Sequence, residues 1–414
     1  MAFANTYFSR FQSFEAFIQE RPNAALHIIV VIPCFNEPDI LHTLDSLLMC
    51  QKPTCNVEVI VVVNHSEIAD VAVKEFNLQT YRAIQNYSNL HSTTNFKIHS
   101  IYAPDLAKKH AGVGFARKIG MDEAVRRFDA IENPQGIIVA FDADSKVDTN
   151  YLVEIERYFL TNKKCSIANI HFEHPLQGDL PQNQYNAIAQ YELHLRYYVE
   201  ALTRIKFPYN FHTVGSSFAL RVAAYCRQGG MNKRQAGEDF YFLQKLFQVE
   251  NVGIITKTKV IPSSRISQRV PFGTGYAMFT LMQSEDNIYV TYTPQSFKVL
   301  QKFFEKIPLL HVAQSEEIAI LYNSLHMSLQ QYILLPEFQA RIAEIQNNSS
   351  TEQLFVKRFF YWFNGFQVFK YLNFAHQSFF TKTPIQQAVI EFLECENKAV
   401  FELLEEFRGM QRGS

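Results

Sequence analysis

Two acidic residues separated by a single residue carry the clearest chemical signal in the sequence. Asp142 and Asp144 follow a short apolar run at residues 137–141, which is typical of a strand buried on both faces of a parallel sheet. Residues i and i+2 point the same way where a strand ends, so both carboxylates can face the crevice beyond the sheet. Such hard oxygen ligands suit Mg²⁺ or Mn²⁺, which would in turn hold a diphosphate. An isolated Asp-x-Asp is more often a solvated turn, so its interpretation depends on what else reaches this edge.

The elements that must position these carboxylates alternate between strand and helix. Further buried strands are predicted at residues 27–32, 57–63 and 98–103. Pro33 is expected to end the first of them, and helices are predicted to begin at Pro38 and to cover residues 114–128. This alternation predicts an α/β fold with a doubly wound, mostly parallel sheet and helices on both faces.

Polar residues follow each of the four predicted strands. In parallel α/β sheets, ligands bind beyond the carboxyl ends of the strands, so the polar clusters are expected to meet at one rim. The clusters occupy residues 34–37, 64–66, 105–114 and 142–144. Their convergence indicates a binding site.

Each cluster also has a structural interpretation. Asn36 and Glu37 could cap the helix that follows them, and Asn64 could be an ordinary turn residue. Lys109 and Gly112 could belong to a solvated loop before the next helix. A helix N-terminus beside lysine side chains also favours anions, through its free N–H groups and its dipole.

A second group of candidates lies between residues 212 and 246. Gly215 and Ser216 predict a tight turn or a short strand that another group approaches closely. Gly237, Glu238 and Asp239 open a predicted helix. Acidic residues in a first helical turn often only complement the helix dipole, but a carboxylate held there is also placed to act as a general base.

In this order the motifs resemble those of family-2 glycosyltransferases, which are inverting enzymes of the GT-A fold that use nucleotide sugars. The resemblance covers residues 26–275. It rests on the stretch from Pro33 to Glu37, on the FDAD sequence that ends at Asp144, on Gly215-Ser216 and on the Glu238-Asp239 pair.

The resemblance implies that Asp142 and Asp144 hold Mn²⁺ or Mg²⁺ and the donor diphosphate or ribose, and that Asp239, beside Glu238, is the catalytic base. It places Asn36, Glu37 and Asn64 against the nucleotide. The predicted nucleotide-sugar-binding residues are Pro33, Asn36, Glu37, Asn64, Lys109, Gly112, Asp142, Gly215, Ser216 and Arg269.

Two arginines follow the last predicted strand, residues 254–261. The forked guanidinium groups of Arg265 and Arg269 suit phosphate, although a solvated loop explains them equally well; Arg269 is the better candidate. Gly273 and Gly275 would allow this loop to close over a donor.

The sequence departs from the family at two points. Relatives commonly carry acidic residues after the second strand, where this chain has Asn64-His65-Ser66. The nucleotide base is therefore left open, with a UDP-sugar favoured. No C-terminal histidine is recognisable as a third metal ligand.

The composition limits the classes of function. The 414 residues are 47% hydrophobic with a formal charge of −1, which allows a large core and argues against nucleic-acid binding. The six cysteines show no metal-binding or redox spacing. No signal peptide is recognisable and no apolar run approaches the ~20 residues of a membrane span. A cytoplasmic protein without a transmembrane segment is predicted.

The last third is poor in glycine and helical in pattern. The predicted domains are a GT-A-like catalytic domain at residues 1–275 and a helical region at residues 276–414. Residues 354–374 around Trp362 are rich in aromatic side chains. They are predicted to form a core helix, because the aromatic residues fall on nearly all faces; a helix in peripheral contact with a membrane is the alternative. The oligomeric state is left open.

Three classes of function fit these motifs. The favoured one is a metal-assisted, hexosyltransferase-type glycosyltransferase that moves a sugar to a hydroxyl of a carbohydrate or another acceptor. A HAD-type phosphatase also has a strand that ends in Asp-x-Asp, but it leaves Asn36 and Glu37 unexplained. A protein that binds sugar nucleotides without catalysis is the third.

Overall fold

The computed structural model describes residues 3–11, 14–232, 237–266 and 273–413. The chain divides into two compact units. The first comprises Met1–Ile188, Thr213–Thr280 and Gly409–Ser414, and the second comprises Ala189–His212 and Leu281–Arg408. The predicted functional division between residues 275 and 276 stays a prediction.

A mixed eight-stranded sheet forms the centre of the first unit. Its strands are β1 (Leu26–Cys34), β2 (Asn56–Ser66), β3 (Phe96–Leu106), β4 (Ile137–Ala140), β5 (Lys146–Val147), β6 (Ile167–Phe172), β7 (Phe218–Arg221) and β8 (Val252–Ile261), in the spatial order β3-β2-β1-β4-β7-β6-β8-β5. The pairs β1–β2, β1–β4, β2–β3 and β6–β8 are parallel, whereas β7 and β5 pair in the antiparallel direction. The predicted α/β fold with a mostly parallel sheet is confirmed.

One helix precedes β1, one follows β8, and the others lie between the strands in sequence. In chain order they are α1 (Asn5–Phe11), α2 (Ile40–Leu48), α3 (Val71–His91), α4 (Val113–Ala130), α5 (Tyr151–Thr161), α6 (Gln182–Arg204), α7 (Val222–Arg227), α8 (Glu238–Val249) and α9 (Thr274–Gln283). Helix α4 packs closely on the sheet because Gly120 has no side chain: a Cβ there would lie 2.5 Å from Val31 Cγ1. The sequence predicted α4 to within two residues at each end.

The prediction that Pro33 ends the first strand is wrong, because β1 continues to Cys34. Phe141 N donates to Val31 O at 3.1 Å, so the backbone polar groups of Val31 point towards β4. Those of Pro33, two positions later in the strand, point to the same side. Strand β4 ends at Ala140, so Pro33 interrupts no ladder hydrogen bond. Helix α2 also begins at Ile40 rather than at Pro38.

The second unit is largely helical, as predicted for the last third of the chain. After α9 come β9 (Val290–Thr291), α10 (Pro294–Phe304), a 3₁₀ helix (Ile307–His311), α11 (Ser315–Asn323), α12 (Met327–Tyr332), α13 (Leu335–Asn347), α14 (Glu352–Trp362), α15 (Gly365–Ser378), β10 (Thr383–Pro384), α16 (Ile385–Leu393) and α17 (Val400–Gly413). Strands β9 and β10 form a short antiparallel pair.

The aromatic segment at residues 354–374 forms parts of two helices, α14 and α15, rather than one. Asn364 interrupts it, because its side chain caps α15 by accepting from Phe366 N at 3.0 Å. Phe359 and Phe363 are fully buried, as predicted for core residues, while Trp362 is half-buried against them. Within the described ranges, no helix has both the length and the apolar character needed to cross a membrane.

Candidate active site

Parallel pairing brings the ends of β1, β2, β3 and β4 to one edge of the sheet. Asn77, on α3, joins two of these ends. Its Oδ1 accepts from Asn36 N at 2.9 Å, and its Nδ2 donates to Asn64 O at 3.0 Å. Asn36 adopts a left-handed backbone conformation with φ of 50°, which asparagine tolerates better than most residues and which turns the chain at the strand end. The structure thus brings the polar segments at Asn36 and Asn64 together.

The loop after β4 presents Asp142 and Asp144 at the same edge. Ser145 N donates to Asp142 O at 3.2 Å, which closes a turn, and Thr43 Oγ1 donates to Ala143 O at 2.8 Å, which ties the loop to α2. The Asp142 and Asp144 side chains are 39% and 28% exposed. Both carboxylates are therefore positioned by their backbone and still open to a ligand.

Arg117, on α4, connects this loop to the predicted catalytic pair. Its side chain is only 2% exposed; Nη2 donates to Asp142 Oδ1 at 2.7 Å, and Nη1 forms an ion pair with Glu238 Oε1. The negative charge of Asp239 also acts on this guanidinium group. We call Arg117, Asp142, Glu238 and Asp239 the Arg117 cluster.

Helix α8 begins as the sequence predicted, and its first turn carries Glu238 and Asp239. Gly237 precedes it with a left-handed φ of 68°, which glycine adopts without strain. Asp239 Oδ1 accepts from Phe240 N at 2.7 Å. A Cβ on Gly215 would lie 2.9 Å from Asp239 Oδ2 and 3.1 Å from both terminal nitrogens of Arg117, so the close approach predicted at Gly215 is confirmed.

The Arg117 cluster has unusual electrostatics. Burial raises the pKa of Glu238 to about 7, although Arg117 opposes the shift. Burial also raises the pKa of Asp239, again against Arg117. Burial alone would lower the pKa of Arg117, but Glu238, Asp142 and Asp239 outweigh it and raise that pKa. The guanidinium therefore stays charged, while the two acidic side chains hold protons more readily than ordinary carboxylates.

A second arginine gathers a second set of carboxylates. Arg265 Nη2 lies 2.7 Å and 2.9 Å from the two Glu37 oxygens and 3.8 Å from Asp144 Oδ2, and Nη1 lies 2.7 Å from Asp39 Oδ2. Glu37 is buried, and its Oε1 also accepts from Asp39 N at 2.9 Å. We call Arg265, Glu37, Asp39 and Asp144 the Arg265 cluster. The interpretation of Asn36 and Glu37 as simple helix caps does not describe these contacts.

Asn64 presents an unused acceptor at the end of β2. The residue is 3% exposed, and among the described residues its side-chain Oδ1 has no hydrogen-bond partner. A buried acceptor without a partner costs free energy unless a ligand supplies the donor. Its neighbour His65 is engaged, with Nε2 3.1 Å from the Tyr102 hydroxyl.

The remaining predicted site residues have no contact with either cluster among those described. Pro33 is buried within β1, Ser216 is buried in the turn before β7, and Lys109 is exposed in the loop after β3. Gly112 precedes α4, and in the described part of the chain no side chain caps that helix. The predicted phosphate ligand Arg269 lies outside the described residues.

Asp142 and Asp144 fit a divalent cation by their chemistry. They are partly exposed hard oxygen donors, and Mg²⁺ or Mn²⁺ commonly uses one or two carboxylates and takes its other ligands from substrate phosphates and water. Over residues 3–11, 14–232, 237–266 and 273–413, no group of three histidine, cysteine or acidic side chains is arranged to hold a metal by itself. A diphosphate would have to complete the coordination.

Sequence reasoning missed Arg117, Asn77 and Asp39. Of these residues only Arg117 could have been recognised from the sequence. It lies in the second turn of a helix that was predicted to begin at the carboxyl edge of the sheet, so its side chain was bound to be near that edge. Asn77 is in the middle of α3, and no local pattern shows that it turns back to the strand ends.

No protein-family model matches the sequence, and neither does any curated protein sequence. Among solved structures, S. aureus TarS 1–349 in complex with UDP-GlcNAc is 12% identical, with 81% of this chain and 92% of that chain covered and a TM-score of 0.42. The mannosyltransferase PcManGT from Pyrobaculum calidifontis, in complex with GDP-Man and Mn²⁺, is 14% identical, with 91% and 94% covered and a TM-score of 0.37.

Proposed function

We propose that this protein is an inverting glycosyltransferase of the GT-A type that uses a nucleoside-diphosphate sugar. The observation that carries the proposal is the Arg117 cluster. One buried guanidinium group joins Asp142, which follows a central strand, to Glu238, and it lies beside Asp239. Glu238 and Asp239 are the first two residues of a helix elsewhere in the chain. Sugar transfer needs this proximity, because the leaving diphosphate and the base that activates the acceptor must act on one anomeric carbon.

The donor is proposed to lie along the edge formed by β1, β2 and β4. The Oδ1 of buried Asn64, which no described residue engages in a hydrogen bond, is available to a hydroxyl or N–H group of the nucleoside. The N-terminus of α4 at Gly112, which no side chain caps in the described ranges, favours the negative charge of the diphosphate, and Lys109 is nearby in sequence. A UDP-sugar remains the favoured donor.

Charge balance supports a divalent cation in the complex. The two clusters contain six carboxyl groups and two arginines, and the donor diphosphate adds further negative charge. Burial favours the protonated form of Glu238, which relieves only part of this repulsion. Mg²⁺ or Mn²⁺ held by Asp142 and Asp144 would offset charge on the departing diphosphate as a Lewis acid.

Asp239 is the proposed base, and Glu238 the residue that positions it through Arg117. Glu238 is 2% exposed and engaged with the guanidinium, whereas Asp239 is half-buried and directs Oδ2 towards Gly215. The acceptor hydroxyl oxygen bonds to the anomeric carbon and gives its proton to Asp239. The bond from that carbon to the diphosphate oxygen breaks, and its electron pair leaves with the nucleoside diphosphate. The raised pKa of Asp239 makes this carboxylate a better proton acceptor.

A thermal-shift panel tests the proposed function. UDP-, GDP- and dTDP-sugars are added with Mn²⁺ and with EDTA. At least one nucleotide sugar is expected to raise the melting temperature in the presence of Mn²⁺, because a ligand that binds only the folded state stabilises it. The Asp142→Asn variant should lose this response, whereas Asp286→Asn, a change at an exposed position, should keep it. Absence of any nucleotide-dependent shift would contradict the proposal.

A further inference from the structure

The ladder between β1 and β2 stops just before the proposed nucleoside edge. Its last register pair is Cys34 with Val63, so among the described residues the pairing reaches neither Asn36 nor Asn64. Asn77, on α3, joins these two segments instead. Its Oδ1 accepts from Asn36 N at 2.9 Å, and its Nδ2 donates to Asn64 O at 3.0 Å. One side chain thus continues the connection that backbone hydrogen bonds make along the rest of the two strands.

The partners of Asn77 fix the orientation of its amide. A backbone N–H can only donate and a carbonyl oxygen can only accept, so only one of the two amide orientations makes both bonds. The residue is completely buried, on the same face of α3 as Thr80 and Ile84. A side chain without both a donor and an acceptor would leave one of these backbone groups without its hydrogen bond, at a cost in free energy.

The two joined segments have the features that the proposed nucleoside site needs. Asn36 has a left-handed backbone with φ of 50°, a conformation that is unfavourable for most residues unless the surroundings hold it. Asn64 is 3% exposed, and no described residue bonds to its Oδ1. The bond from Asn77 to Asn64 O anchors the backbone that carries this acceptor, so it also fixes where the acceptor lies.

We infer that Asn77 is a positioning residue for the nucleoside part of the donor. The inference rests on the proposed function, which places the donor along this edge. Asn77 acts through Asn36 and Asn64, because its amide holds both segments in the arrangement that binds the nucleoside. Without the amide, fewer molecules have this arrangement. The apparent affinity falls with that fraction, and one lost hydrogen bond corresponds to about tenfold.

The experiment titrates UDP, or the nucleoside diphosphate of the donor found by thermal shift, by calorimetry in Mn²⁺ from pH 5 to pH 8. Asn77→Asp keeps the shape of the side chain. Its ionised carboxylate can accept from Asn36 N but cannot donate to Asn64 O, whereas the protonated carboxyl group can do both. Burial should raise the pKa of this new carboxyl group above its usual range.

The ratio of the Kd of Asn77→Asp to that of the wild type is the decisive quantity. It should be close to one at pH 5 and rise to about ten at pH 8, as the carboxyl group loses its proton and with it the bond to Asn64 O. The titration of UDP cancels in this ratio. So does that of His65 and Glu37, which neighbour the joined segments and are present in both proteins.

Two further variants separate positioning from general stability. Asn77→Ala removes both hydrogen bonds without adding a titratable group, so it should bind UDP about tenfold more weakly at every pH. The matched control is Asn133→Asp. Asn133 Oδ1 accepts from Gln135 N at 3.2 Å and its Nδ2 donates to Leu26 O at 3.0 Å, the same bridge at the opposite end of β1. This variant should bind UDP as the wild type does. Circular dichroism establishes that each variant is folded.

Three results would overturn the inference while retaining the glycosyltransferase. They are wild-type UDP affinity in folded Asn77→Ala, a Kd ratio for folded Asn77→Asp that stays at one up to pH 8, and an equal loss of affinity in Asn133→Asp. If Asn77→Asp does not fold at the higher pH, Asn77→Ala decides the question. Failure of the proposed function has a different signature, because the wild type itself would then bind no nucleotide, and the inference would fall with it.

Discussion

The Arg117 and Arg265 clusters place the same chemistry in two different environments. Arg117 forms ion pairs with Asp142 and Glu238, and Arg265 forms them with Glu37, Asp39 and Asp144, so each cluster contains one member of the Asp142-x-Asp144 pair. Arg117 is enclosed by protein, while Arg265 is partly in water. The same ion pair is therefore expected to be a fixed part of the fold in the first cluster and an exchangeable contact in the second.

Burial explains why the two clusters suit different steps of sugar transfer. In the Arg117 cluster low exposure raises the pKa values of Glu238 and Asp239, which is useful for a proton acceptor. In the Arg265 cluster the guanidinium group and the Asp144 carboxylate remain partly in contact with water. The difference between them teaches that the surroundings of an arginine–carboxylate group, rather than its composition, decide its role.

The largest expected effect separates the clusters by stability. Arg117→Gln leaves the buried Glu238 carboxylate without its cation and should lower the free energy of unfolding by about 3–5 kcal/mol. Arg265→Gln should cost about 1–3 kcal/mol, because the group is partly solvated. Urea unfolding measures both. Equal losses of stability in the two variants would show that the two clusters are alike.

The next effect concerns catalysis within the Arg117 cluster. Asp239→Asn keeps the shape of the side chain but cannot take a proton. We expect kcat to fall by about two orders of magnitude or more while donor affinity is retained. Steady-state kinetics, with calorimetry for donor binding, measure this on the donor found by thermal shift. If Glu238→Gln gives this signature and Asp239→Asn does not, the roles within the pair are reversed.

A smaller effect is expected in the pH dependence of stability. Burial raises the pKa of Glu238 from 4.5 to about 7, so between these values the folded protein holds a proton that the unfolded chain has lost. This stabilising contribution is complete below about pH 4.5 and disappears as the pH rises through 7. Glu238→Gln removes it. The loss of stability between pH 5 and pH 8 should be smaller in the variant by on the order of 2 kcal/mol. Parallel curves for variant and wild type would contradict the raised pKa.

The sequence predicted the arrangement of the strands better than the contacts of the site. Continuous apolar runs located β1 to β4, and the rule that ligands bind at their carboxyl ends placed Asn36, Asn64 and Asp142 at one edge. Pro33 led to a wrong prediction of the end of β1. Proline interrupts a strand only where a hydrogen bond from its missing N–H is needed, and whether one is needed here depends on where the neighbouring strand β4 ends.

The arginines could not be assigned from local pattern. Arg117 belongs to a helix in which most charged residues are buried, and no periodicity reveals which carboxylates a buried guanidinium will meet. Arg265 was proposed as a phosphate ligand, but its contacts with Glu37 and Asp39 depend on side chains more than 200 residues away in sequence. Ion pairs over such distances are set by packing rather than by spacing.

Donor calorimetry with and without metal tests the central claim most directly. UDP, or the nucleoside diphosphate of the donor found by thermal shift, is titrated into the wild type and Asp144→Ala in Mn²⁺ and in EDTA. We predict Mn²⁺-dependent binding by the wild type and its loss in Asp144→Ala, with the fold intact by circular dichroism. Undiminished, metal-independent binding by Asp144→Ala would contradict the account.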